Sequence, residues 1–461
     1  MKIILTADVG STFTKLTAVD METKKIIGTA KSFTTIETNV MEGYGKAMAE
    51  LEAQCGKLVF DKKVAASSAA GGLKMIAVGL VPDLTVQAAR MATANAGAKI
   101  MKTFSYELSR DELDEIVSLA PDMILLSGGT DGGNKDVILH NARLLADSPL
   151  TCSIVVAGNK SAKDDLQGIL KNFGGEVLFC ANVMPELNQL NIEPAKKAIR
   201  DLFIKNIISA KGLSELQATL ASEIIPTPLA VFEAASLLSK GTKSSPGLGE
   251  LVVFDVGGAT TDVYSMAEGL PTRANVFLHG FRHPFAKRTV EGDLGMRYSL
   301  RPLAEAIGVD NIACLLDIDE REVEAWISTC SANPEILPEA KSLAKRIDEA
   351  MARAAVKISM ERHVGSVEAV FTSTGQSFAQ TGKDLSEVRY LIGTGGPIIH
   401  AADPDYVLKA AVYEPSDMNL LKPLAPKTLV DKKYILSAMG TLSRIEPETA
   451  LAIMKEEIPV E

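Results

Sequence analysis

The sequence predicts an α/β protein made of two similar halves, with a parallel, doubly wound β/α unit inserted into the first. Three observations carry this. Ile3-Ile4-Leu5-Thr6-Ala7-Asp8-Val9-Gly10-Ser11-Thr12 and Leu251-Val252-Val253-Phe254-Asp255-Val256-Gly257-Gly258-Ala259-Thr260-Thr261-Asp262 both run apolar strand, Asp, Val-Gly, then small residues and hydroxyls. Residues 97–180 alternate short apolar runs with amphipathic helices, the pattern of a parallel sheet. Lys240-Gly241-Thr242-Lys243-Ser244-Ser245-Pro246-Gly247-Leu248-Gly249 is dense in turn residues and marks a boundary just before the second matched segment.

In chain order, strands are predicted over 2–8, 14–20 and 25–33, a helix over 39–55 and a strand over 63–66. Ser68-Ala69-Ala70-Gly71-Gly72-Leu73 turns on small residues into a strand over 74–80, and Asp83 follows Pro82 as N-cap of a helix over 84–96. The β/α unit reads as strands over 99–104, 123–126, 153–157 and 176–179, with helices over 111–119, 134–145 and 162–173. Its strand 123–126 ends in Ser127-Gly128-Gly129-Thr130-Asp131-Gly132-Gly133, at the carboxyl edge where open α/β sheets bind ligands; an anion site and a plain tight turn both fit. Helices are predicted over 193–209, 213–222 and 228–238. After the linker come the second hairpin, a helical middle (301–328 and 341–360), strands over 367–371 and 390–392, and helices over 433–443 and 447–456. The expected divisions are 1–82, 83–180, 181–249 and 250–461.

A chain of 461 residues, 46% hydrophobic and 23% charged, can bury sizeable cores. A net charge of −10 argues against a nucleic-acid surface, which needs a basic stripe. Apolar runs such as Met123-Ile124-Leu125-Leu126 are strand-length and far short of a membrane span, and the N-terminus opens into a strand rather than a signal peptide. The five cysteines form no C-x-x-C pair, and the five histidines show no metal-ligand spacing beyond His279 and His283, where Gly280 and Pro284 weaken a helix. A cytoplasmic protein in a reducing compartment is expected.

The matched turns carry the chemistry. Gly and Ser/Thr let backbone N–H groups approach an anion, as in phosphate cradles. A carboxylate at the strand end repels phosphate but holds Mg²⁺ through its waters. Gly10, Ser11 and Thr12 are the candidate donors on one side of a polyphosphate, and Gly257, Gly258, Thr260 and Thr261 on the other. Asp8 and Asp255 are the candidate metal carboxylates; Asp262 is a candidate outer ligand or an orienter of attacking water. Lys15 either reaches phosphate or is an exposed strand lysine, and Glu291 and Asp293 either reach the cleft or cap the next helix.

Together with Gly393-Thr394-Gly395-Gly396-Pro397, these turns resemble the actin, sugar kinase and heat-shock chaperone ATPase superfamily (ASKHA). That resemblance implies two ribonuclease-H-like domains hinged over Mg-ATP, with Gly393, Thr394, Gly395 and Gly396 backing the adenosine. Ala438-Met439-Gly440-Thr441 is similar to the superfamily's second inter-domain connector. Ala259 stands where the chaperones have Gly. Over nearly its whole length the chain resembles the MutL (GlmL) family, unrelated to the mismatch-repair protein of similar name. The residues carrying this are Ser68 to Leu73, Leu126 to Asn134, and Thr289-Val290-Glu291-Gly292-Asp293-Leu294-Gly295-Met296-Arg297.

The resemblance implies an accessory ATPase, slow and Mg-dependent. It would reactivate or chaperone an adenosylcobalamin-dependent mutase or aminomutase of the glutamate-mutase type. A homodimer stays open as its assembly. Residues 97–139 contain no histidine and His140 falls inside a predicted helix, so direct cobalt ligation by the β/α unit is rejected. A small-molecule kinase and an actin-like nucleotide-gated filament protein are the alternatives, although no Asp outside the phosphate motifs stands out as a kinase base.

Overall fold

The computed structural model describes residues 2–460 apart from 11, 36–37, 69–72, 83–87, 89–90, 93–97, 188, 209–211 and 373–374. Ser11, the centre of the small-residue turn at 68–73, Asp83 and most of the helix expected over 84–96 lie outside the described residues. The chain divides into two compact units, Met1–Ala230 and Val231–Glu461.

The first unit opens with a five-stranded mixed sheet. Ile3–Val9, Phe13–Asp20 and Lys25–Phe33 pair antiparallel in succession; Lys62–Ser67 joins Ile3–Val9 in parallel, and the two-residue strand Ile225–Pro226 follows at the edge. Helix Val40–Cys55, capped by the Asn39 side chain accepting from the Met41 N–H, packs over Phe13–Asp20 and Lys25–Phe33 and brings Val40, Tyr44, Ala47 and Leu51 into one core with Ile3, Leu5, Ala7 and Val9. Period-2 alternation therefore sends Ile4, Thr6 and Asp8 to the opposite face, where all are buried.

The same unit holds a second, wholly parallel sheet, ordered Ala98–Ser105, Leu73–Gly79, Met123–Leu126, Ser153–Val156, Val177–Phe179. Apolar residues occupy both of its faces. Met75, Ala77, Met123, Leu125 and Val155 share a core with the first sheet, while Ile76, Val78, Ile124, Leu126 and Ile154 pack under the flanking helices. Near-continuous apolar strands are what burial on both faces requires.

The second unit repeats the first sheet's plan. Leu251–Val256, Thr261–Met266 and Ala286–Glu291 pair antiparallel in succession, and Tyr390–Thr394 and Lys427–Val430 extend the sheet in parallel from Leu251–Val256. In each half the strand order is third, second, first, fourth, fifth, as expected of paired ribonuclease-H-like folds. Helix Leu343–His363, N-capped by Ser342, covers the face bearing Val252, Phe254 and Val256. A small sheet of Val276–His279, Gly375–Thr381 and Ser366–Thr372 stands apart.

Four helical expectations need correction: the helix expected over 213–222 stops at Ala218, and that over 162–173 is an α-helix only over Lys163–Ile169, between 3-10 turns Lys160–Ala162 and Leu170–Asn172. The stretch 301–328 is three helices, Leu300–Ile307, Val309–Leu316 and Glu320–Ala332, interrupted where Gly308 and Asp317 adopt positive φ of 86° and 54°. The helix expected from 433 starts at Leu436, because Asp431 accepts the Ile435 and Leu436 N–H groups and ends the preceding turn.

Candidate functional site

Asp8 is the penultimate residue of Ile3–Val9 and is 7% exposed. Gly10 N–H donates to the Phe13 carbonyl at 3.0 Å, closing the first turn, with Thr12 half-buried beside it. Sequence reasoning missed Thr227, whose hydroxyl donates to Asp8 Oδ1 at 2.6 Å from the start of helix Thr227–Lys240. Lys15 lies directly opposite Asp8 in the antiparallel register, which puts both side chains on one face.

The second turn repeats this geometry. Asp255 is penultimate in Leu251–Val256 and faces away from the helix-covered core, as Asp8 does. Gly257 N–H donates to the Thr260 carbonyl at 2.9 Å, and Gly258 O accepts from Arg297 and Tyr298 N–H, both at 2.8 Å. Asp262 stands directly across from Asp255, with Thr394 on Asp255's other side. Two carboxylates on one face would repel, but Arg288 Nε and Nη2 reach Asp262 Oδ1 at 2.9 and 2.6 Å. Burial opposes the Arg288 charge, and Asp262 more than restores it.

Segment 289–297 braces this turn. Met296 N–H donates to the Gly257 carbonyl at 3.0 Å, and the Thr261 hydroxyl donates to Leu294 O at 2.6 Å. Glu291 and Asp293 each accept from Arg362 at 2.8 Å, so helix Leu343–His363 anchors both.

The Gly393-Thr394-Gly395-Gly396 segment ends strand Tyr390–Thr394 and starts the short helix Gly396–Ile399. The Thr394 hydroxyl donates to Asp431 Oδ2 at 3.1 Å. Gly395 has φ +92°, and a Cβ there would overlap the Val256 carbonyl oxygen. A side chain at this position is thus refused by the neighbouring strand before any ligand is considered. Burial, followed by the nearby Asp255 and Asp431 charges, holds the Tyr434 phenol well above its ordinary pKa.

The MutL protein family model matches residues 4–458. Protein MutL of Clostridium tetanomorphum is 48% identical over 458 residues, covering 99% of both chains. The chain belongs to the MutL protein family. Solved structures are far more distant. The activator of the 2-hydroxyisocaproyl-CoA dehydratase from Clostridium difficile, with bound ADPNP, is 10% identical with a TM-score of 0.30, covering 100% of this chain and 99% of that one. A glycerol dehydratase reactivase is 11% identical with a TM-score of 0.32, covering 96% and 99%. These likenesses are too slight to transfer a ligand or an activity to this MutL-family chain.

One pattern within the MutL-family site was not legible in its motifs. The Thr227, Thr260 and Thr394 hydroxyls all donate to carboxylates, those of Asp8, Asp262 and Asp431. Ionised carboxylates only accept, so each hydroxyl proton is committed inward. The donor chemistry suits Mg²⁺ in a nucleotide complex, which takes one or two carboxylates plus substrate phosphates rather than an all-protein cage. Among the described residues no group of three or more His, Cys, Asp or Glu is arranged to hold a metal alone, and no helix is long and apolar enough to cross a membrane.

The Ser127–Gly133 turn is tied to its neighbours. Asn159 Oδ1 accepts from Gly132 N–H while its Nδ2 donates to the Gly133 and Asn134 carbonyls; Asn182 Nδ2 donates to Gly129 O and Asp131 Oδ1.

Proposed function

We propose that this MutL-family chain is an Mg-ATP-binding, slowly ATP-hydrolysing accessory protein that reactivates or chaperones an adenosylcobalamin-dependent mutase or aminomutase. One observation carries the nucleotide part: an Asp at the same penultimate position, followed by a Gly-containing turn, on the equivalent first strand of two sheets of identical topology. The motif resemblance and membership of the MutL family support the accessory role.

In this reading each of the two turns serves nucleotide phosphate. Gly10, Ser11 and Thr12 would form the first phosphate turn and Gly257, Gly258, Thr260 and Thr261 the second; Gly10 and Gly257 shape these turns, their own N–H groups being spent on the Phe13 and Thr260 carbonyls, and the other residues would supply the backbone donors. Asp8 and Asp255 would hold Mg²⁺ through its waters, and the Gly393–Gly396 segment would lie under adenosine. A bound Mg²⁺ neutralises charge on the phosphates. The backbone dipoles then stabilise charge spread over the γ-phosphoryl group, which is most of what phosphoryl-transfer catalysis requires. A partner is controlled by nucleotide only if it binds the ATP and ADP states with different affinity.

The test uses a cobalamin-dependent mutase inactivated by cofactor damage. This protein is added with ATP or a non-hydrolysable analogue, and activity with fresh adenosylcobalamin is measured. Recovery with ATP alone, abolished by Asp255→Ala, is expected. Equal recovery with the analogue would remove hydrolysis from the mechanism, and phosphorylation of a metabolite without effect on any mutase would make the protein a kinase.

A further inference from the structure

Arg288 belongs to none of the phosphate motifs, yet it grips one of their carboxylates. Its side chain is 5% exposed and that of Asp262 9%. Both Nε and Nη2 converge on Asp262 Oδ1, at 2.9 and 2.6 Å, while Nη1 is buried without a hydrogen-bond partner. The guanidinium carbon lies 5.7 Å from the centre of the Tyr264 ring. Burying two ions and leaving a donor unpaired is a poor way to stabilise a fold; apolar residues of similar volume often do as well or better. Stability alone therefore gives no reason for this pair.

Its effect on Thr260 does. Asp262 Oδ2 accepts the Thr260 hydroxyl at 3.2 Å. A hydroxyl has one proton and two lone pairs, and with the proton spent inward only lone pairs remain for a ligand. Lone pairs repel phosphate oxygens and attract a cation or the hydrogens of its bound water. Thr260 is half-exposed in the turn between Asp255 and Asp262, so the oxygen so polarised belongs to the nucleotide site itself.

Resting on the nucleotide reading above, we propose that Arg288 is a positioning residue: by holding Asp262 it makes the Thr260 oxygen an acceptor for nucleotide-bound Mg²⁺ or a water on that ion. The relay runs Arg288 to Asp262 to Thr260. It assigns Thr260 to the metal's side of the site, and it gives Asp262 a role that needs no contact with the ion.

The experiment is calorimetric titration of ADP into the full chain, with Mg²⁺ and with EDTA. The variants are Thr260→Ala, Thr260→Ser and the double variant Asp262→Leu with Arg288→Met, which removes both charges together with the acceptor for the Thr260 hydroxyl and avoids stranding one charge in the interior. The Mg²⁺-dependent gain in ADP affinity should fall roughly 10–100-fold in Thr260→Ala and in the double variant, the usual consequence of disturbing groups around a metal. It should survive in Thr260→Ser, and in every variant the change in Mg²⁺-free affinity should be smaller than the change in the Mg²⁺-dependent gain. Should the double variant fail to fold, Arg288→Lys, which keeps a cation but cannot make both contacts with Asp262, tests the Arg288 step through a smaller loss of the same Mg²⁺ gain, and Thr260→Ala, a truncation of a half-exposed side chain, tests the last step. A Mg²⁺ gain in Thr260→Ala equal to the parent's would overturn the proposal. So would an equal loss of affinity with and without Mg²⁺, which would make Thr260 a phosphate donor. A parent chain with no Mg-ADP affinity would instead sink the nucleotide reading itself.

Discussion

Across 219 residues of sequence, the Thr227 hydroxyl donates to the Asp8 carboxylate at 2.6 Å. The first turn's acidic residue is thus fixed by a residue that enters the sheet region only after the whole parallel unit has been inserted. Hydrogen bonds to charged groups contribute about 1.5–3 kcal/mol. Thr227→Val keeps the shape and removes the donor. Under the nucleotide reading, Mg-ADP affinity should fall about tenfold, the weaker end of that range. Thr227→Ser should retain it. Parent-like affinity in Thr227→Val, measured by calorimetric titration, would leave Asp8 independent of this contact.

Gly395→Ala should destabilise the protein without any nucleotide present. With φ +92° and ψ 145°, Gly395 occupies backbone space that is essentially glycine-only, and a Cβ would also strike the Val256 carbonyl. Strain of this kind costs roughly 1–3 kcal/mol before the clash is counted. Denaturant unfolding of the ligand-free variant checks this, and a parent-like midpoint would contradict it.

Asn159→Asp should be more damaging than its size suggests. Asn159 is 1% exposed, and its Nδ2 donates to the Gly133 and Asn134 carbonyls. A carboxylate there would face both carbonyls as an acceptor, or protonate to avoid doing so. A loss of about 3 kcal/mol is expected, with protection of the 128–134 amides lost in hydrogen exchange. Unaltered exchange would show that the turn is held by other contacts.

Lys383 predicts a pH dependence. It is 1% exposed, donates to Phe285 O at 2.8 Å, and has its pKa pushed down to about 7, first by burial and then by Lys287, against the opposing pull of Glu250 and Glu268. Between about pH 7 and the ordinary lysine value, the unfolded chain binds the extra proton, so stability rises with pH. The limiting slope is about 1.4 kcal/mol per pH unit. Cys152, Cys180 and Cys330, pushed up to about 11 by burial, act in the opposite sense as unfolded thiols ionise near 9, so the clean window is about pH 7–9. Lys383→Met should flatten the rise in unfolding free energy across that window. An identical slope in the variant would rule out Lys383 as its source.

The parallel sheet was readable because burial on both faces forces continuous apolar strands such as Met123–Leu126, which turns then separate. The matched hairpins were readable because strand, Asp and Gly recur in one order. Strands Ala286–Glu291 and Gly375–Thr381 were not, since Ala-Lys-Arg-Thr-Val-Glu and Gly-Gln-Ser-Phe-Ala-Gln-Thr carry no apolar alternation. Their buried polar side chains reach distant partners instead: Arg288 binds Asp262, and Gln380 Nε2 donates to the Gly269 carbonyl. The same reason hid Thr227, Arg288 and Asp431 from the site. Each acts on a motif residue through a contact that only the folded chain creates.

The two-residue strand Ile225–Pro226 sets the timetable of biogenesis. Its neighbour Lys62–Ser67 leaves the ribosome long before it, with residues 68–224 still to be made. At about 5–20 residues per second, that interval is roughly 8–30 s. For that time the nascent first sheet carries a bare rim able to template pairing with another chain. The late strand covers the Ala66–Ser67 end of that rim, and Pro226, lacking an N–H, offers a newcomer no donor at its own position once synthesis reaches it.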